Sequence, residues 1–176
     1  MRKLLFALCA TAVVFIVLRW QSVPLITDLT PFGIIALEFC DNLVRLDTIF
    51  SAWNLEHARR VIYIDFALIL CFTFVFYQSA LIIHHKLRHQ PLSDFTRWAI
   101  HFCFVPPVLD ILENTGMLIT LSGARVPLIL ELTAWIAAFK FASAAIVVLY
   151  LLVSLLCIYV QSKKTVPGQE KYTGRT

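Results

Sequence analysis

The sequence predicts an all-α fold, a four-helix transmembrane bundle with an amphipathic extracytoplasmic segment between the first and second spans. Three observations predict it. Of the 176 residues, 60% are hydrophobic and only 15% are charged. The mean hydropathy of +0.81 lies well outside the range of soluble domains. The apolar residues also form runs of helix length, and such runs cross a bilayer as helices because hydrocarbon offers backbone groups no other partner.

The first two predicted spans cover residues 4–20 and 61–84. The first follows two basic residues, as the core of a signal sequence does, but Arg19 and Trp20 stand where a small-residue cleavage site would be needed. We therefore expect an uncleaved helix. The second run is long enough to cross about 30 Å of hydrocarbon with some tilt.

The third and fourth predicted spans cover residues 98–121 and 127–160. Pro106 and Pro107 interrupt the third span, and a proline pair frees carbonyl groups one turn earlier and bends a helix. The fourth run is longer than one bilayer requires, so we expect it to tilt or protrude. Residues 1–161 thus form one membrane domain, followed by a flexible cytoplasmic tail at 162–176.

The connection over residues 24–60 is the only one long enough to hold structure of its own. Asp41 or Asn42 is placed to cap a helix. Apolar residues follow at helical spacing: Leu43, Leu46, Ile49, Phe50 and Trp53. This pattern predicts an amphipathic helix that lies on the outer membrane surface or folds over the mouth of the bundle. For residues 32–39 the pattern leaves a short helix and a strand-like cover both open.

The basic residues predict the orientation. On the side of the two termini the four-span scheme places nine: Arg2, Lys3, Lys86, Arg88, Arg97, Lys163, Lys164, Lys171 and Arg175. On the other side it places five: Arg19, Arg45, Arg59, Arg60 and Arg125. Basic loops stay in the cytoplasm. We therefore expect a multi-pass protein of the cell inner (cytoplasmic) membrane with a cytoplasmic N-terminus and a cytoplasmic C-terminus.

Four ionisable side chains lie inside the predicted spans: Asp65, Asp110, Glu113 and Lys140. Each costs about 2.5 to 3.5 kcal/mol at the centre of a bilayer, so we expect them to face one another. Asp110, Glu113 and Asn114 follow the i, i+3, i+4 pattern, which places them on one stripe of one helix. The sequence therefore predicts a shared polar site in the outer half of the bundle.

The composition of this site suggests acid and base chemistry. Three acids against one lysine leave a surplus of about two negative charges in a medium of low dielectric constant, so at least one carboxyl group should be neutral. A carboxylic acid beside a carboxylate is suited to general acid and base catalysis. As candidate catalytic residues we take Asp65, Asp110, Glu113 and Lys140.

Further residues are candidates for binding a ligand. Glu38 would reach the mouth of the site if the external segment folds back, and Asn114 shares the stripe of Asp110. Arg60 stands where the second span begins, in a position suited to lipid phosphates. Ordinary surface charge explains Glu38 and Arg60 equally well.

Two other interpretations compete with a binding site. Buried acids paired with a lysine can simply fix which helix packs against which, or form an interface with a partner. A proton or ion path would need polar residues that continue toward the cytoplasm, and the third span is mostly apolar on that side of Asp110. We predict no metal, no cofactor and no nucleic-acid partner, because the chain has no phosphate-binding glycine loop, zinc helix or concentrated basic patch. The five cysteines lack a CxxC pair and are interpreted as small packing residues.

The order of several residues resembles the pattern of a family of small, uncharacterised four-helix integral membrane proteins of bacteria. The residues that carry it are Glu38, Trp53, Asp65, Phe66, Asp110, Glu113, Asn114, Lys140 and Phe141. The pattern is E…W…L-D-F/Y…D-x-x-E-N…K-F and covers residues 34–150, with Ile64 in place of its leucine. The resemblance implies that these positions, Trp53 included, act as one unit, and it implies no reaction.

Together these patterns predict a membrane protein that binds a small amphipathic or lipid-like molecule and, if it is an enzyme, transforms it by acid and base chemistry. The alternative is a non-catalytic membrane subunit or scaffold. The expected partners are membrane lipids or a lipophilic small molecule, and a homo-oligomer or a membrane-protein partner stays open.

Overall fold

The structure is a computed structural model that describes residues 2–87 and 93–164, with side chains at 2–87 and 96–160. These residues form α-helices, one 3-10 turn and no strand. The α-helices are α1 (Arg2–Ser22), α2 (Ile35–Glu38), α3 (Leu43–Ala52), α4 (Leu55–Leu87), α5 (Ser93–Phe102), α6 (Val105–Leu121) and α7 (Pro127–Lys164). The 3-10 turn covers Val23–Leu25. The all-α prediction is confirmed for the described part of the chain.

Four helical stretches are long and apolar enough to cross a membrane. They are Arg2–Leu25, Leu55–Leu87, Thr96–Leu121 and Pro127–Val160. Their outer faces carry large apolar side chains that no described residue covers, such as Phe6, Leu70 and Leu149. Exposed apolar surface on this scale suits a hydrocarbon solvent and not water. The four predicted spans therefore all correspond to helices of sufficient length.

Helix α4 begins at Leu55, six residues before the predicted start at position 61. Hydropathy misses its first turns because they carry Glu56, His57 and Arg59. A local polar signal starts the helix instead, since the Asn54 side chain accepts a hydrogen bond of 3.1 Å from the His57 backbone N–H. Such a cap satisfies one of the free N–H groups at a helix start.

The predicted third span is two helices, not one bent helix. Helix α5 ends at Phe102 and α6 begins at Val105, so Pro106 and Pro107 lie in the first turn of α6. Proline is tolerated there because the N–H groups of a first turn have no intrahelical partner. The proline pair therefore starts a helix and does not kink the interior of one.

The segment between α1 and α4 folds into a cap, which we define as residues 23–54. Of the two residues predicted to cap α3, Asn42 does so, because its side chain accepts a hydrogen bond of 2.8 Å from the Arg45 N–H. The apolar face of α3 is buried against the bundle through Leu46 and Ile49, which pack in one cluster with Leu121 of α6. Of the two predicted placements, α3 therefore takes the one over the bundle. Residues 32–39 contribute the single turn α2.

Three polar contacts tie the helix ends together at the cap end of the bundle. His57 Nε2 lies 2.6 Å from the backbone oxygen of Gln21 in α1. Arg59 donates to the carbonyl of Leu121 at the end of α6, at 2.7 Å. Arg125 pairs with Asp47 of α3 at 2.7 Å. The last carbonyl groups of a helix need such partners. Residues of α4 supply them for the ends of α1 and α6, and so fix the positions of these two helices along α4.

Helix α4 packs against α1, α5, α6 and α7, and α6 packs along α7. The two helices pack tightly at Gly116, where an added Cβ would overlap Thr133 Oγ1. At the other end of the bundle, which we call the loop end, α4 approaches α5 and His84 Nδ1 lies 2.8 Å from Thr96 Oγ1. Helix α7 continues to Lys164, three residues into the predicted tail.

Some predictions fall on parts of the chain that the structure does not describe. Residues 88–92 and 165–176 are in this group, and so are the side chains of residues 93–95 and 161–164. The counted basic residues Arg88, Lys163, Lys164, Lys171 and Arg175 therefore have no described side-chain position.

Candidate functional site

The predicted polar side chains lie on the buried stripes of three helices. On α4, Asp65 follows Val61 and Ile62 at helical spacing, and on α7 Lys140 follows Ala137. Asp65 lies about 15 Å along α4 from its start, Asp110 about 16 Å from the end of α6 and Lys140 about 20 Å from the start of α7, at 1.5 Å per residue. Because α4 begins earlier than predicted, Asp65 lies at about the same depth in the bundle as Asp110 and Lys140.

Lys140 is the centre of the site. Its Nζ lies 2.7 Å from Glu113 Oε1, 3.2 Å from Asp110 Oδ1 and 3.7 Å from Glu38 Oε2. The first two distances are charge-assisted hydrogen bonds. The lysine therefore joins α7 to α6 directly and to α2 of the cap at longer range. The same ammonium group lies 4.5 Å from the centre of the Phe141 ring.

Asp65 belongs to a second contact beside the first. Its Oδ2 accepts a hydrogen bond of 2.7 Å from Asn114 Nδ2, which joins α4 to α6. Asn114 is buried and Asp65 is half-buried. The four ionisable groups predicted to meet, and the amide beside them, therefore do lie together.

The site carries more acid than base. Glu38, Asp65, Asp110 and Glu113 surround the single amine of Lys140, so full ionisation would leave three negative charges in excess (4 − 1 = 3). Such an excess in a buried site is unfavourable, and protonation of some of these carboxyl groups relieves it. For Glu38, in the cap, burial raises the pKa above 4.5, while the Lys140 ammonium opposes the shift.

Two carboxyl oxygens of the site are buried without a hydrogen-bond partner among the described residues, Glu38 Oε2 and Glu113 Oε2. The Glu38 side chain is 9% exposed and that of Glu113 is fully buried. Buried acceptors in proteins almost always have a donor, and an exception is often part of a functional site. Glu113 is closed off by its burial, whereas Glu38 Oε2 is placed to accept a hydrogen bond from another molecule.

A cavity of about 250 Å³ opens onto this cluster. Its polar wall consists of Glu38, Asp65, Asp110, Asn114 and Lys140. Its apolar wall consists of Phe15, Leu18, Ile34, Ile35, Val61, Ile62, Met117 and Phe141. An apolar pocket with a few converging polar groups is the usual form of a small-molecule site.

The cavity has an opening on one side of the bundle. Of its apolar lining, Phe15 of α1, Ile35 of α2 and Phe141 of α7 are each about half exposed, at 51%, 43% and 47%. Other lining residues, such as Ile62 and Met117, are buried. The opening therefore lies at the edge formed by α1, α2 and α7.

Three predicted site residues do not line this cavity. Glu113 is fully buried and reaches the cavity only through its hydrogen bond with Lys140, which does line it. Trp53 is buried in the cap, where its indole N–H donates to Leu25 O and Thr30 Oγ1, both at 2.9 Å. Arg60 is exposed at the start of α4. Trp53 thus stabilises the cap, and this role accounts for its burial without a bound ligand.

The apolar lining was not predicted from the sequence. Phe15 and Leu18 come from α1, whose apolar residues surround the helix evenly, so no pattern distinguishes the two that face the cavity. Met117 was detectable in principle, because it continues the stripe of Asp110, Glu113 and Asn114 at helical spacing.

Neither a metal site nor a reactive thiol is evident in the described part of the chain. No group of three or more His, Cys, Asp and Glu side chains there is arranged to hold a metal ion. Cys40 and Cys103 are buried, Cys71 and Cys157 are half-buried and Cys9 is exposed, and all five are free. Burial raises the pKa of the Cys40 thiol, which makes it unreactive.

The fold and the site define a class of protein. The chain is helical, has four helices long and apolar enough to cross a membrane, and so fits a multi-pass membrane protein with a polar cluster among its helices. No protein-family model matches the sequence, and comparisons with curated proteins and with solved structures found no significant match. The family resemblance drawn from the sequence therefore stays a prediction.

Proposed function

We propose that this chain is an inner-membrane protein whose cavity binds a small amphipathic or lipid-like molecule. In the proposed orientation the cap faces the outside and both termini face the cytoplasm, so the cavity lies in the outer half of the bilayer. The observation that carries the proposal is Glu38 Oε2, which is buried on the wall of a mostly apolar cavity, accepts no hydrogen bond from a described residue and meets Lys140 Nζ only at 3.7 Å. Apolar walls suit a hydrocarbon portion, and the free acceptor suits a polar head.

The excess of acid indicates what kind of head fits. Glu38, Asp65 and Asp110 line the cavity and Lys140 is already bound to Asp110 and Glu113. An anionic head would meet like charge in a medium of low dielectric constant. A head that donates hydrogen bonds, neutral or cationic, would satisfy the free acceptor. The polar head of the ligand is therefore proposed to carry hydroxyl or amine groups.

The position of the opening supports access from the membrane. Phe15 and Phe141 flank it, and both rings lie on helices whose outer faces are apolar. A molecule dissolved in the bilayer can reach the cavity between α1 and α7 without crossing water. This route favours a ligand with a hydrocarbon portion over a water-soluble metabolite.

The carboxyl groups of the wall give the site a means of acid and base chemistry. Glu38 and Asp110 line the cavity and share Lys140 as a counter-ion, so a proton on one of them can pass to a bound molecule and return. Glu113, fully buried beside the lysine, acts as its counter-ion. The proposed function is binding. Conversion of the bound molecule would be a further function, and the evidence for it would be a detected product.

A purely structural role is the second candidate, and one observation favours it. Lys140 joins α2, α6 and α7 through three carboxyl groups, as a contact that fixes helix packing would. A scaffold of this kind would need the charges and would not need the cavity. The two functions are therefore separated by variants that fill the cavity and leave every charge in place.

The test compares Leu18→Phe, which fills the cavity from α1, with Val17→Phe, which adds the same ring at a neighbouring, more exposed position of α1. Each protein is purified in detergent, and the small molecules that remain bound are identified by mass spectrometry. Binding predicts a molecule that copurifies with the wild type and with Val17→Phe and is lost from Leu18→Phe. A folded wild-type protein that carries no such molecule would support the scaffold instead.

A further inference from the structure

A second groove lies away from the carboxyl cluster, between α1 and α4. It has a volume of about 550 Å³. From α1 it is lined by Phe6, Ala7 and Ala10, and from α4 by Leu70, Cys71 and Phe74. Its remaining lining residues are Arg2 and Lys3. The groove is therefore apolar throughout, and the apolar parts of two exposed basic side chains line one end of it.

The shape of the groove follows from the sequence of the two helices. Ala7, Ala10 and Cys71 are small and form its floor, and Ala7 is buried by the contact of α1 with α4. Phe6 and Phe74 are larger and stand at its sides, with Phe6 76% exposed. Residues at positions i, i+3 and i+4 share one face of a helix. Arg2 and Lys3 therefore continue the face of Phe6, Ala7 and Ala10.

The two cations lie beside an apolar part of α4. Helix α4 continues for about 20 Å beyond Phe74 before it ends at Leu87, at 1.5 Å per residue. Its own polar end carries His84, His85 and Lys86. Arg2 and Lys3 thus lie alongside Leu70 and Phe74 and not at the polar end of the neighbouring helix. A cation beside apolar surface needs a counter-ion or must extend to water.

The described part of the chain supplies no such counter-ion. None of the ion pairs among the described residues includes Arg2 or Lys3. The acid nearest to the groove along α4 is Asp65, about 8 Å before Leu70 at 1.5 Å per residue, and it is bound to Asn114. No acidic side chain among the described residues therefore pairs with the two positive charges at this end of the groove.

We propose that this groove binds an anionic phospholipid of the leaflet at the loop end, with an acyl chain along the apolar floor and the phosphate at Arg2 and Lys3. Basic residues at the end of an apolar groove between membrane helices suit an anionic headgroup. This site is separate from the carboxyl cavity in position and in charge. It requires insertion in a bilayer and does not depend on what the carboxyl cavity binds.

The test measures lipid retention by native mass spectrometry. The protein is reconstituted in phosphatidylcholine vesicles that contain a minor fraction of phosphatidylglycerol, and the lipids that stay bound after transfer to detergent are counted. We expect the wild type to retain phosphatidylglycerol in preference to phosphatidylcholine. A basic residue near a membrane surface contributes about 1 kcal/mol, so Arg2→Gln and Lys3→Gln should each lower the preference about fivefold.

Two variants complete the design. Arg97→Gln removes an exposed cation from the same end of the bundle on α5 and should leave the preference unchanged. Ala10→Phe keeps both cations and fills the floor, and should abolish retention of the lipid while the melting temperature stays that of the wild type. Equal retention of the two lipids by the wild type would overturn the proposal. So would an equal loss in Arg97→Gln, or a second copy of the chain cross-linked through Cys71 in the groove.

Discussion

At the scale of single residues, Lys140 is the side chain on which the polar cluster depends. It is the only cation among the described residues that lies within hydrogen-bond reach of the buried acids, and it contacts groups from α2 and α6. The sequence placed a lysine among three acids and Glu38 at their mouth if the external segment folds back, and in the structure Glu38 lies beside Lys140 as a fourth acid. The reason is physical: each acid on an apolar helix needs a partner, and one amine serves several.

Replacement of Lys140 by methionine should destabilise the protein by about 3–5 kcal/mol, the usual cost of removing one member of a buried ion pair. Methionine keeps most of the side-chain volume, so the loss reports the charge and not a cavity. Thermal unfolding in detergent measures it. Lys86→Met is the matched control, because Lys86 is exposed at the end of α4 and should change little.

The double variant Lys140→Met with Glu113→Gln tests whether unpaired carboxyl groups cause this loss of stability. Removing the acid that the lysine binds at 2.7 Å should recover part of the loss, because one fewer carboxyl group is left unpaired. A double variant that is as unstable as the sum of the single variants would contradict this account.

Glu38 makes stability depend on pH in a direction that can be stated. Burial raises its pKa in the folded protein above the ordinary value of 4.5, so the folded state holds the proton more tightly than the unfolded state. This contribution to stability is fully present below pH 4.5 and is lost as the pH rises through the folded pKa. Wild-type stability should therefore fall over this range by more than that of Glu38→Gln.

The comparison needs a control because the other carboxyl groups also titrate. Asp28→Asn removes an exposed acid from the cap and should leave the pH dependence of the wild type unchanged. Melting temperatures measured from pH 4.5 to neutral pH decide the matter. Parallel curves for the wild type and Glu38→Gln would show that burial of Glu38 does not affect its titration.

At the scale of helices, the close contact of α6 with α7 sets the position of the lysine relative to the acids. Gly116 lies one turn and a half beyond Asp110 on α6, and it faces Thr133 of α7. Small residues allow membrane helices to approach closely. A side chain at position 116 would force Thr133 Oγ1 to move, which breaks its 2.8 Å hydrogen bond to Ile129 O, or would push the two helices apart.

Gly116→Ala should therefore destabilise the protein by about 1–3 kcal/mol, the usual cost of overpacking. In a Thr133→Ala background the added methyl group finds space, because the overlapping Oγ1 and the nearby Cγ2 are gone. The double variant should be more stable than Gly116→Ala alone. Melting of the four proteins measures the coupling, and additive losses would argue against a contact at this point.

Hydropathy found the helical spans more reliably than it found their ends. It placed the start of α4 six residues late, because a polar first turn capped by Asn54 carries no apolar signal. It found the third span, Thr96–Leu121, but missed the turn at Cys103 and Phe104 that divides this span into α5 and α6, because those residues are as apolar as the helices. The amphipathic helix α3 was predicted, and so was an N-capping residue at position 41 or 42. Both the apolar spacing and the capping side chain of Asn42 are local signals.

At the scale of the whole molecule, the proposed orientation makes a direct prediction. A cysteine at Thr48, exposed on α3 of the cap, should react from outside intact cells with a maleimide that cannot cross membranes. A cysteine at His85, exposed near the end of α4, should react only after the membrane is opened. The native cysteines are replaced by alanine beforehand. The reverse pattern of labelling would place the cap, and the cavity below it, on the cytoplasmic side.

The sequence by itself determined that the chain is helical, that four stretches can cross a membrane and that its buried acids and lysine need one another. These are properties of single residues and their neighbours along the chain, because the cost of placing a charge in hydrocarbon does not depend on the fold. Only the tertiary structure decided that Glu38 reaches Lys140, that Glu113 is hydrogen-bonded to the lysine and that Trp53 holds the cap. Those contacts depend on the rotation of each helix about its axis and on its position along the neighbouring helix. Tertiary packing determines both, and the local sequence does not.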